Sequence, residues 1–232
     1  MVLIKTLVCL ANSRKISGRC VAGMVDDDSG EWVRPVSARL NGEVSARERQ
    51  YEDGMEPNVL DIVSVPLLRP QPHDFQSENW LLHPAYYWKK VGRIGWRGLL
   101  NLEQPPSALW VNGFSTYHGN DDRLPIEEVS TLSDSLRLIR ITDLTLQVHV
   151  PGAAFGDQKR VLRAHFSHAR HEHILRVTDP AYEQEYLAKS EGTYELGESF
   201  LTVSLGEPYE GYVYKLVAAI IERAKIQTGS RR

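Results

Sequence analysis

The chain has 232 residues, of which 42% are hydrophobic and 25% charged, as is typical of a folded protein with one large or two small cores. Its formal net charge is −3, so any nucleic-acid surface must be a local patch on a molecule that is not a polycation. Cys9 and Cys20 are too few for a disulfide framework or a Cys-based zinc site. No apolar run has the length of a membrane span and no signal-peptide pattern is present, so we expect a soluble, cytoplasmic protein.

The N-terminal part of the sequence predicts β-strands. Residues 2–10 form a nearly continuous apolar run, which is typical of a strand buried on both faces. The turn-rich segment 26–30 predicts a hairpin connection. Further strands are expected at residues 19–25, 31–36 and 59–67. The polar segment 39–57 is expected to form an exposed loop.

The middle of the chain, residues 69–127, is rich in Trp, Gly and Pro and predicts an irregular connection with one short helix near Trp96–Leu102. Strict alternation of apolar and polar side chains at residues 144–150 predicts a strand with one buried face. A change of phase within residues 136–141 indicates a β-bulge. Further strands are expected at residues 162–166 and 201–205. Such strands close into a small antiparallel barrel.

Two helices are predicted in the second half. Asp179 and Pro180 form a favourable helix start, and this helix would extend to Lys189. Residues 211–227 are predicted to form a long helix, because their apolar side chains recur at helical spacing. This stripe consists of Val213, Leu216, Val217, Ile220 and Ala224.

Residues 86–98 combine four aromatic rings and four cations in thirteen residues. This mixture suits single-stranded nucleic acid, because rings stack on bases while cations meet phosphates. The residues predicted to stack are Tyr87, Trp88 and Trp96. Those predicted to meet phosphates are Lys89, Lys90, Arg93 and Arg97. The alternative interpretation is a structured loop whose rings cap the core under the stems of the cations.

Four further residues are candidates for ligand contact. Arg14 and Lys15 lie in residues 12–19, where backbone amides, hydroxyls and cations could together hold a phosphate. The alternative for this segment is a solvated hairpin loop. Trp32 and Arg34 would share one strand face, opposite Val33, and would either contact a ligand or have an architectural role in the first barrel.

The polar side of the second-half strands is another candidate surface. Oligonucleotides lie across such a face in five-stranded OB barrels, although an ordinary solvated sheet is favoured because this face has no aromatic ring. Its residues are Thr145, Gln147, His149, Arg163 and His165. His171 and His173 would share a strand face, but the spacing implies no third metal ligand, so a turn of surface histidines is favoured.

The motifs of common enzymes are missing from the sequence. It contains no Gly-x-Ser-x-Gly elbow, no Walker loop and no dinucleotide fingerprint. Asp26, Asp27 and Asp28 are consecutive, so their side chains point apart rather than toward one Mg²⁺. We therefore predict no catalytic residue, no metal site and no cofactor.

Several motifs together resemble the dual OB-fold domain family of prokaryotes, over nearly the full chain. These motifs are Ser13-Arg14-Lys15, residues 32–37, residues 60–63, residues 204–209 and residues 214–221. The resemblance implies a mainly β protein of two OB-like barrels, an irregular connecting region and a C-terminal helix. Its domains would be residues 1–128, with an aromatic-rich insertion, and residues 129–232.

By analogy with other OB folds, the resemblance also implies a non-catalytic protein that binds single-stranded nucleic acid or a nucleotide. It further implies an accessory role in prokaryotic conflict systems such as antiphage defence. The alternative function is a protein-interaction or sensor subunit of a larger assembly, with a partner from a neighbouring gene. The aromatic segment would then be an interface hot spot, where Trp, Tyr and Arg are enriched.

Overall fold

The structure is a computed structural model that describes residues 2–153 and 156–229. The chain folds into two compact units. The first unit extends to Leu102 and includes Ser133–Ser135, and the second comprises Glu103–Leu132 and the described residues from Leu136 onward. The domain boundary between residues 128 and 129 stays a prediction. No helix in the described ranges is both long and apolar enough to span a bilayer.

The first unit is a closed barrel of five strands with a sixth strand attached. Its elements are β1 (Leu3–Lys15), β2 (Gly18–Val25), β3 (Trp32–Val36), α1 (Ala46–Arg49), β4 (Asp61–Pro70), β5 (Asn79–Leu82), β6 (Lys89–Arg93) and α2 (Trp96–Leu102). The strand order is β1-β2-β3-β5-β4, and β4 closes the barrel by pairing with β1. The β3–β5 pairing is parallel. Strand β6 continues the sheet beyond β4.

Alternation along β1 and β3 builds the core of this barrel. Leu7, Cys9 and Val33 belong to the interior cluster. Val8 and Leu10, on the other face of β1, are also buried, so the prediction of a strand buried on both faces is confirmed from Leu7 onward. It is wrong for Leu3 and Ile4, which are exposed. A strand that is buried on both faces has a continuous apolar sequence, because neither face meets water.

Two predictions for the first unit are wrong. The supposedly irregular region after residue 69 contains β5, which supplies the fifth barrel strand. Its four residues are too few to show a periodicity. The supposed exposed loop at residues 39–57 contains α1, whose start carries a reciprocal capping box between Ser45 and Glu48. The same segment buries Val44, so it packs on the barrel.

The second unit repeats the same connectivity. Its elements are β7 (Arg123–Pro125), α3 (Ile126–Val129), β8 (Leu136–His149), β9 (Val161–His168), β10 (His171–Val177), α4 (Pro180–Leu187), β11 (Gly192–Leu205), β12 (Tyr212–Glu222) and α5 (Arg223–Gly229). The barrel order is β8-β9-β10-β12-β11, and β11 closes onto β8. The β10–β12 pairing is parallel. Helix α4 joins the third strand to the fourth, as α1 does in the first unit.

The long helix predicted at residues 211–227 is wrong. Residues 212–222 form strand β12, and only the short helix α5 follows. From Val217 to Glu222 every residue is buried, because both faces of the strand are covered. An apolar run that fills both faces also matches a helical stripe, so periodicity alone did not separate the two structures.

Helix α4 was predicted correctly at its start. The Asp179 carboxylate accepts hydrogen bonds from the backbone of Ala181, at 2.9 Å, and of Ile220 in β12, at 3.1 Å. The N-cap therefore also fixes the helix to the barrel. Such a cap typically contributes about 1 kcal/mol to helix stability.

Candidate functional site

The fold separates the rings of the aromatic segment 86–98 into exposed and buried members. Tyr86 and Tyr87 are 53% and 56% exposed, whereas Trp88 is 1% exposed and belongs to the barrel core. The stacking role predicted for Trp88 is therefore wrong, since its ring presents no face to a base. For this ring, the alternative interpretation, in which aromatic residues cap the core, describes the structure.

A cleft of about 550 Å³ lies beside this segment. Its lining comes from residues 51–58, between α1 and β4, and from residues 87–90, which lead into β6. The cleft brings together Tyr87, Lys89 and Lys90, three of the residues that the sequence predicted to contact nucleic acid. Trp88 also contributes to the lining, and its indole Nε1 is buried without a hydrogen-bond partner.

One fully buried carboxylate organises two of the predicted phosphate-binding cations. Asp61 Oδ1 accepts the ammonium of Lys90 and the guanidinium of Arg93, each at 2.8 Å. Burial disfavours the charged form of Asp61, but hydrogen bonds from Lys90, the Asn58 backbone and Arg93 outweigh it and lower the pKa of this carboxyl. Lys90 and Arg93 are thus partly neutralised within the unit.

The cleft also carries acidic side chains that the sequence reasoning missed. Glu52, Asp53 and Glu56 belong to its lining. Glu56 Oε2 accepts two hydrogen bonds from Arg49, at 2.8 and 3.1 Å, which leaves Glu52 and Asp53 as exposed carboxylates at the mouth. The charge of the cleft is therefore mixed, because two lysines and three carboxylates line it.

Two more residues of the segment lie in helix α2, outside the lining of the cleft. Arg97 is exposed and Trp96 is half-buried. The helix itself matches the prediction for residues 96–102. The structure thus groups Tyr87, Lys89 and Lys90 at one cleft and leaves Trp96 and Arg97 outside it.

The predicted phosphate loop at residues 12–19 is a tight hairpin instead. Strand β1 continues to Lys15 and β2 starts at Gly18, with Arg14 paired to Arg19 across the ladder. Backbone amides in a ladder bond to the neighbouring strand and do not converge on an anion. Arg14 is exposed at this hairpin and Lys15 is half-buried, so they can contribute charge but not a backbone nest.

Trp32 and Arg34 share a face of β3 opposite Val33, as predicted, but that face is buried. The guanidinium of Arg34 lies 2.9 Å from Glu78 and donates to the Ser135 hydroxyl at 2.8 Å. A buried ion pair of this kind costs several kcal/mol if one partner is removed. The structure therefore gives Arg34 an architectural role rather than a place on an open binding surface.

The second unit buries Lys215 and also His173, which the sequence was interpreted as placing in a turn of surface histidines; that interpretation is wrong for His173. Lys215 and His173 are each 1% exposed. Burial lowers the pKa of Lys215 to about 8, although Asp121 and Asp122 oppose this shift. Burial and the Lys215 charge lower the pKa of His173 to about 4. The only sequence signal was a lysine within an apolar run.

Lys215 stabilises its unit through hydrogen bonds, whereas both ring nitrogens of His173 are buried without a hydrogen-bond partner. The Lys215 ammonium donates to Asn112 Oδ1 at 3.1 Å, and the Lys215 backbone N–H donates to Asp122. These bonds attach the preceding connection to the start of β12. Throughout residues 2–153 and 156–229, no group of three His, Cys, Asp or Glu side chains is placed to hold a metal ion.

The two units define the class of this protein. Each is a closed five-stranded barrel with a parallel pairing between its third and fifth strands, which is the OB fold occurring twice in one chain. The family of the dual OB-containing domain, DuOB, matches residues 5–220, so the chain belongs to this family. No curated protein and no solved structure matches the chain. OB folds bind oligonucleotides and oligosaccharides, so the family indicates a binding function.

Proposed function

We propose that the protein is a non-catalytic binding module for single-stranded nucleic acid or a nucleotide, and that its ligand enters the cleft of the first unit. The observation that carries the proposal is that Tyr87, Lys89 and Lys90 line this one cleft. An exposed ring beside ammonium groups is the arrangement that stacks a base while holding its phosphate.

The charge of the cleft supports a ligand with both a base and a phosphate. Lys89 is exposed and offers an ammonium to a phosphate oxygen. Glu52 and Asp53 would repel a bare polyanion but accept hydrogen bonds from base amino groups, as carboxylates do from cytosine N4. The balance of charges favours one or a few nucleotides over a long phosphate track.

The test is fluorescence anisotropy with labelled single-stranded oligo-dC and oligo-C at low salt, with CMP as competitor. We expect Tyr87→Ala/Lys89→Ala to weaken binding about tenfold or more, the usual effect of losing a base stack and a phosphate contact. Both side chains are exposed, so the variant should fold, which circular dichroism checks. The matched control is Tyr117→Ala/Lys159→Ala, which removes an exposed tyrosine and lysine from the second unit. Equal affinities of the variant and wild type would refute the proposal.

A second candidate function is protein interaction through the same segment. Strand β6 is the last strand of its sheet, and Val91 on it is 51% exposed beside Tyr86 and Tyr87. Exposed rings and an open strand edge suit a protein partner. Salt separates the two functions, because phosphate contacts weaken steeply as salt rises and an apolar interface does not.

The proposal includes a cytoplasmic location and an accessory role in a prokaryotic conflict system such as antiphage defence. The conflict-system role rests on the resemblance of the sequence motifs to the dual OB-fold proteins of prokaryotes, and the location rests on the apolar pattern of the sequence, in which no run has the length of a membrane span. Deletion of the gene and phage challenge of its host would test this role, and unchanged phage sensitivity would contradict it.

A further inference from the structure

The amino group of Lys215 is buried against a side-chain carboxamide. Lys215 lies on β12 and is 1% exposed, and its Nζ donates a hydrogen bond to Asn112 Oδ1 at 3.1 Å. Within the part of the chain that the structure describes, no carboxylate lies close enough to this Nζ to form an ion pair. A buried ammonium without an ion pair is unfavourable, so the protein gains if this group loses its charge.

Burial also makes the amino group of Lys215 a nucleophile. It lowers the pKa of Lys215 to about 8, although the charges of Asp121 and Asp122 act in the opposite direction. In mildly alkaline solution the neutral amine is therefore well populated. A desolvated lysine amine attacks carbonyl carbons, and the nearest candidate is Cγ of Asn112, the carbon bonded to the oxygen that accepts the hydrogen bond.

The fold holds the two reacting groups together. The backbone N–H of Lys215 donates to the Asp122 carbonyl at 2.9 Å, and the backbone N–H of Gly113, next to Asn112, donates to Asp121 Oδ1. The segment that carries Asn112 is thus fixed beside β12, although the two side chains are 103 residues apart in sequence. Such fixed proximity removes the entropic cost of bringing two reactants together and accelerates a reaction between them.

The surroundings of Lys215 exclude water and contain a group that can carry a proton. Asp121 and Asp122 are 7% and 3% exposed, and His173 is 1% exposed. Burial first and the Lys215 charge second lower the pKa of His173 to about 4, so its ring is neutral near neutral pH. Asp121 is the carboxylate with the larger effect on Lys215 and also holds the residue after Asn112. A carboxylate in this position can pass a proton from the attacking nitrogen to the leaving nitrogen.

We propose that Lys215 and Asn112 join through an intramolecular amide bond, formed once per chain without a cofactor. The lone pair of Nζ attacks Cγ of Asn112, the Nζ–Cγ bond forms and the Cγ–Nδ2 bond breaks. The proton that Nζ gives up passes through Asp121 to Nδ2, which leaves as ammonia. The structure describes the two side chains before this reaction. The product replaces a buried charge with a neutral amide and ties β12 to the connection before β7.

A second reaction would release the same ammonia from Asn112. Because Gly113 follows Asn112, the backbone nitrogen of Gly113 can attack Cγ and close a succinimide ring. We favour Lys215 as the nucleophile, because its amine is more basic than a backbone amide and faces the carboxamide directly. The two products differ in connectivity, since only the first joins two distant segments of the chain.

The test is mass spectrometry of the purified full chain, denatured after incubation at pH 9. We expect a mass lower than calculated by one ammonia, and a tryptic digest in which residues 98–123 are joined to residues 190–223, because trypsin does not cleave after an acylated lysine. Lys215→Met and Asn112→Ala should have their full calculated masses. The matched control is Asn41→Ala, which removes an exposed asparagine that also precedes a glycine and should leave the bond intact.

The rate of ammonia loss tests the role of Asp121. Asp121→Asn keeps the shape of the side chain but cannot carry the proton, so we expect the bond to form about tenfold more slowly or less readily still. Circular dichroism checks that this variant folds, and an unchanged rate would overturn the role of Asp121. Tyr87→Ala/Lys89→Ala should form the bond normally, so the reaction is independent of the cleft in the first unit.

The decisive observation comes from wild type, so it does not depend on the folding of any variant. The proposal is overturned if wild type keeps its full calculated mass after prolonged incubation at pH 9. It is also overturned if ammonia is lost but no joined peptide is found and hydroxylamine cleaves the chain after Asn112, because a succinimide is cleaved in this way and the Lys215 amide is not.

Discussion

The ammonium of Lys90 lies 2.8 Å from Oδ1 of Asp61, a carboxylate with no solvent exposure. Because Asp61 begins β4 and Lys90 lies on the neighbouring β6, this ion pair fastens the added strand to the closed barrel. It also fixes one of the cations that line the cleft. The position of Lys90 is thus set by the protein before any ligand arrives.

Replacing Asp61 should destabilise the first unit. In Asp61→Asn, Lys90 and Arg93 lose the charge that they share, and we expect a loss of roughly 2–3 kcal/mol in the free energy of unfolding, below the usual 3–5 because both cations are half exposed. Urea denaturation measures this loss. Glu52→Gln, which removes an exposed carboxylate from the same cleft, should change stability by less than about 0.5 kcal/mol.

Asp61→Asn should also change how the free energy of unfolding depends on acid pH. The folded-state pKa of Asp61 is below its usual value, so its stabilisation is complete above the unfolded pKa of about 3.9 and is lost as pH falls through the folded pKa. Asp61→Asn should therefore lose less stability than wild type between neutral pH and about pH 3. Parallel acid profiles of the two proteins would contradict this assignment.

Trp88 should behave as a core residue. Trp88→Ala removes a fully buried ring, and such changes cost about 3–5 kcal/mol. Trp88→Phe keeps most of the volume and removes an indole N–H that has no partner, so we expect a smaller cost, roughly 1–2 kcal/mol. Oligonucleotide affinity of the folded Trp88→Phe protein should equal that of wild type, whereas Tyr87→Ala should lower it. A large affinity loss in Trp88→Phe would restore a stacking role for this ring.

The sequence predicted the strands that bury one face, and failed where burial depends on distant parts of the chain. Of the alternation predicted at residues 144–150, the part up to His149 lies within β8, where side chains alternate between core and solvent. Strand β12 was mistaken for a helix because neither of its faces meets water over residues 217–222. A helix and a doubly buried strand are both compatible with this apolar run.

The candidate site, like the fold, was predicted in part from the sequence. The composition of residues 86–98 left two interpretations, rings and cations that contact a ligand or rings that cap the core, and Tyr87 and Lys89 are exposed. The sequence could not show that Trp88 alone turns inward, nor that Asp61, more than twenty residues earlier, binds Lys90 and Arg93. Those facts follow from the pairing of β6 with β4, which has no local signal in either strand.

In chains that have not formed the Lys215–Asn112 bond, the contribution of Lys215 to stability should rise with pH in alkaline solution, while the raised pKa of the Cys9 thiol acts in the opposite direction above about pH 9. Its pKa is about 8 in the folded protein and near 10.5 otherwise, so the unfolded state binds more protons between these values and stability increases with pH across that window. The full rise is roughly 3 kcal/mol, from 1.36 kcal/mol per pKa unit. Lys215→Met should lack this rise, and Lys159→Met, an exposed control, should keep it. Urea denaturation of both variants at pH 7.5 and pH 10 measures this difference in the free energy of unfolding.

His173 should make the free energy of unfolding fall as pH decreases in mild acid. Its pKa is about 4 in the folded protein against 6.5 ordinarily, so the unfolded state takes up a proton first as pH falls from 6.5 to 4. Stability should therefore fall through this window, by roughly 3 kcal/mol in total. His173→Phe should flatten it, while His73→Gln, at an exposed histidine, should not. An unchanged slope in His173→Phe would show that another group causes the loss.

The two cysteines should react at different rates in the native protein. Cys9 lies in the barrel core, where burial first and the charge of Asp61 second raise the pKa of its thiol to about 12, and a thiol rather than a thiolate is a poor nucleophile. Cys20 on β2 is half-buried. Iodoacetamide at pH 8 should modify Cys20 first and reach Cys9 only after denaturant is added. Cys20→Ser should leave the folded protein unreactive, and mass spectrometry of tryptic peptides identifies the modified residue. Rapid labelling of Cys9 in folded Cys20→Ser would mean that the first barrel opens without global unfolding, and the buried position of β1 would then need revision.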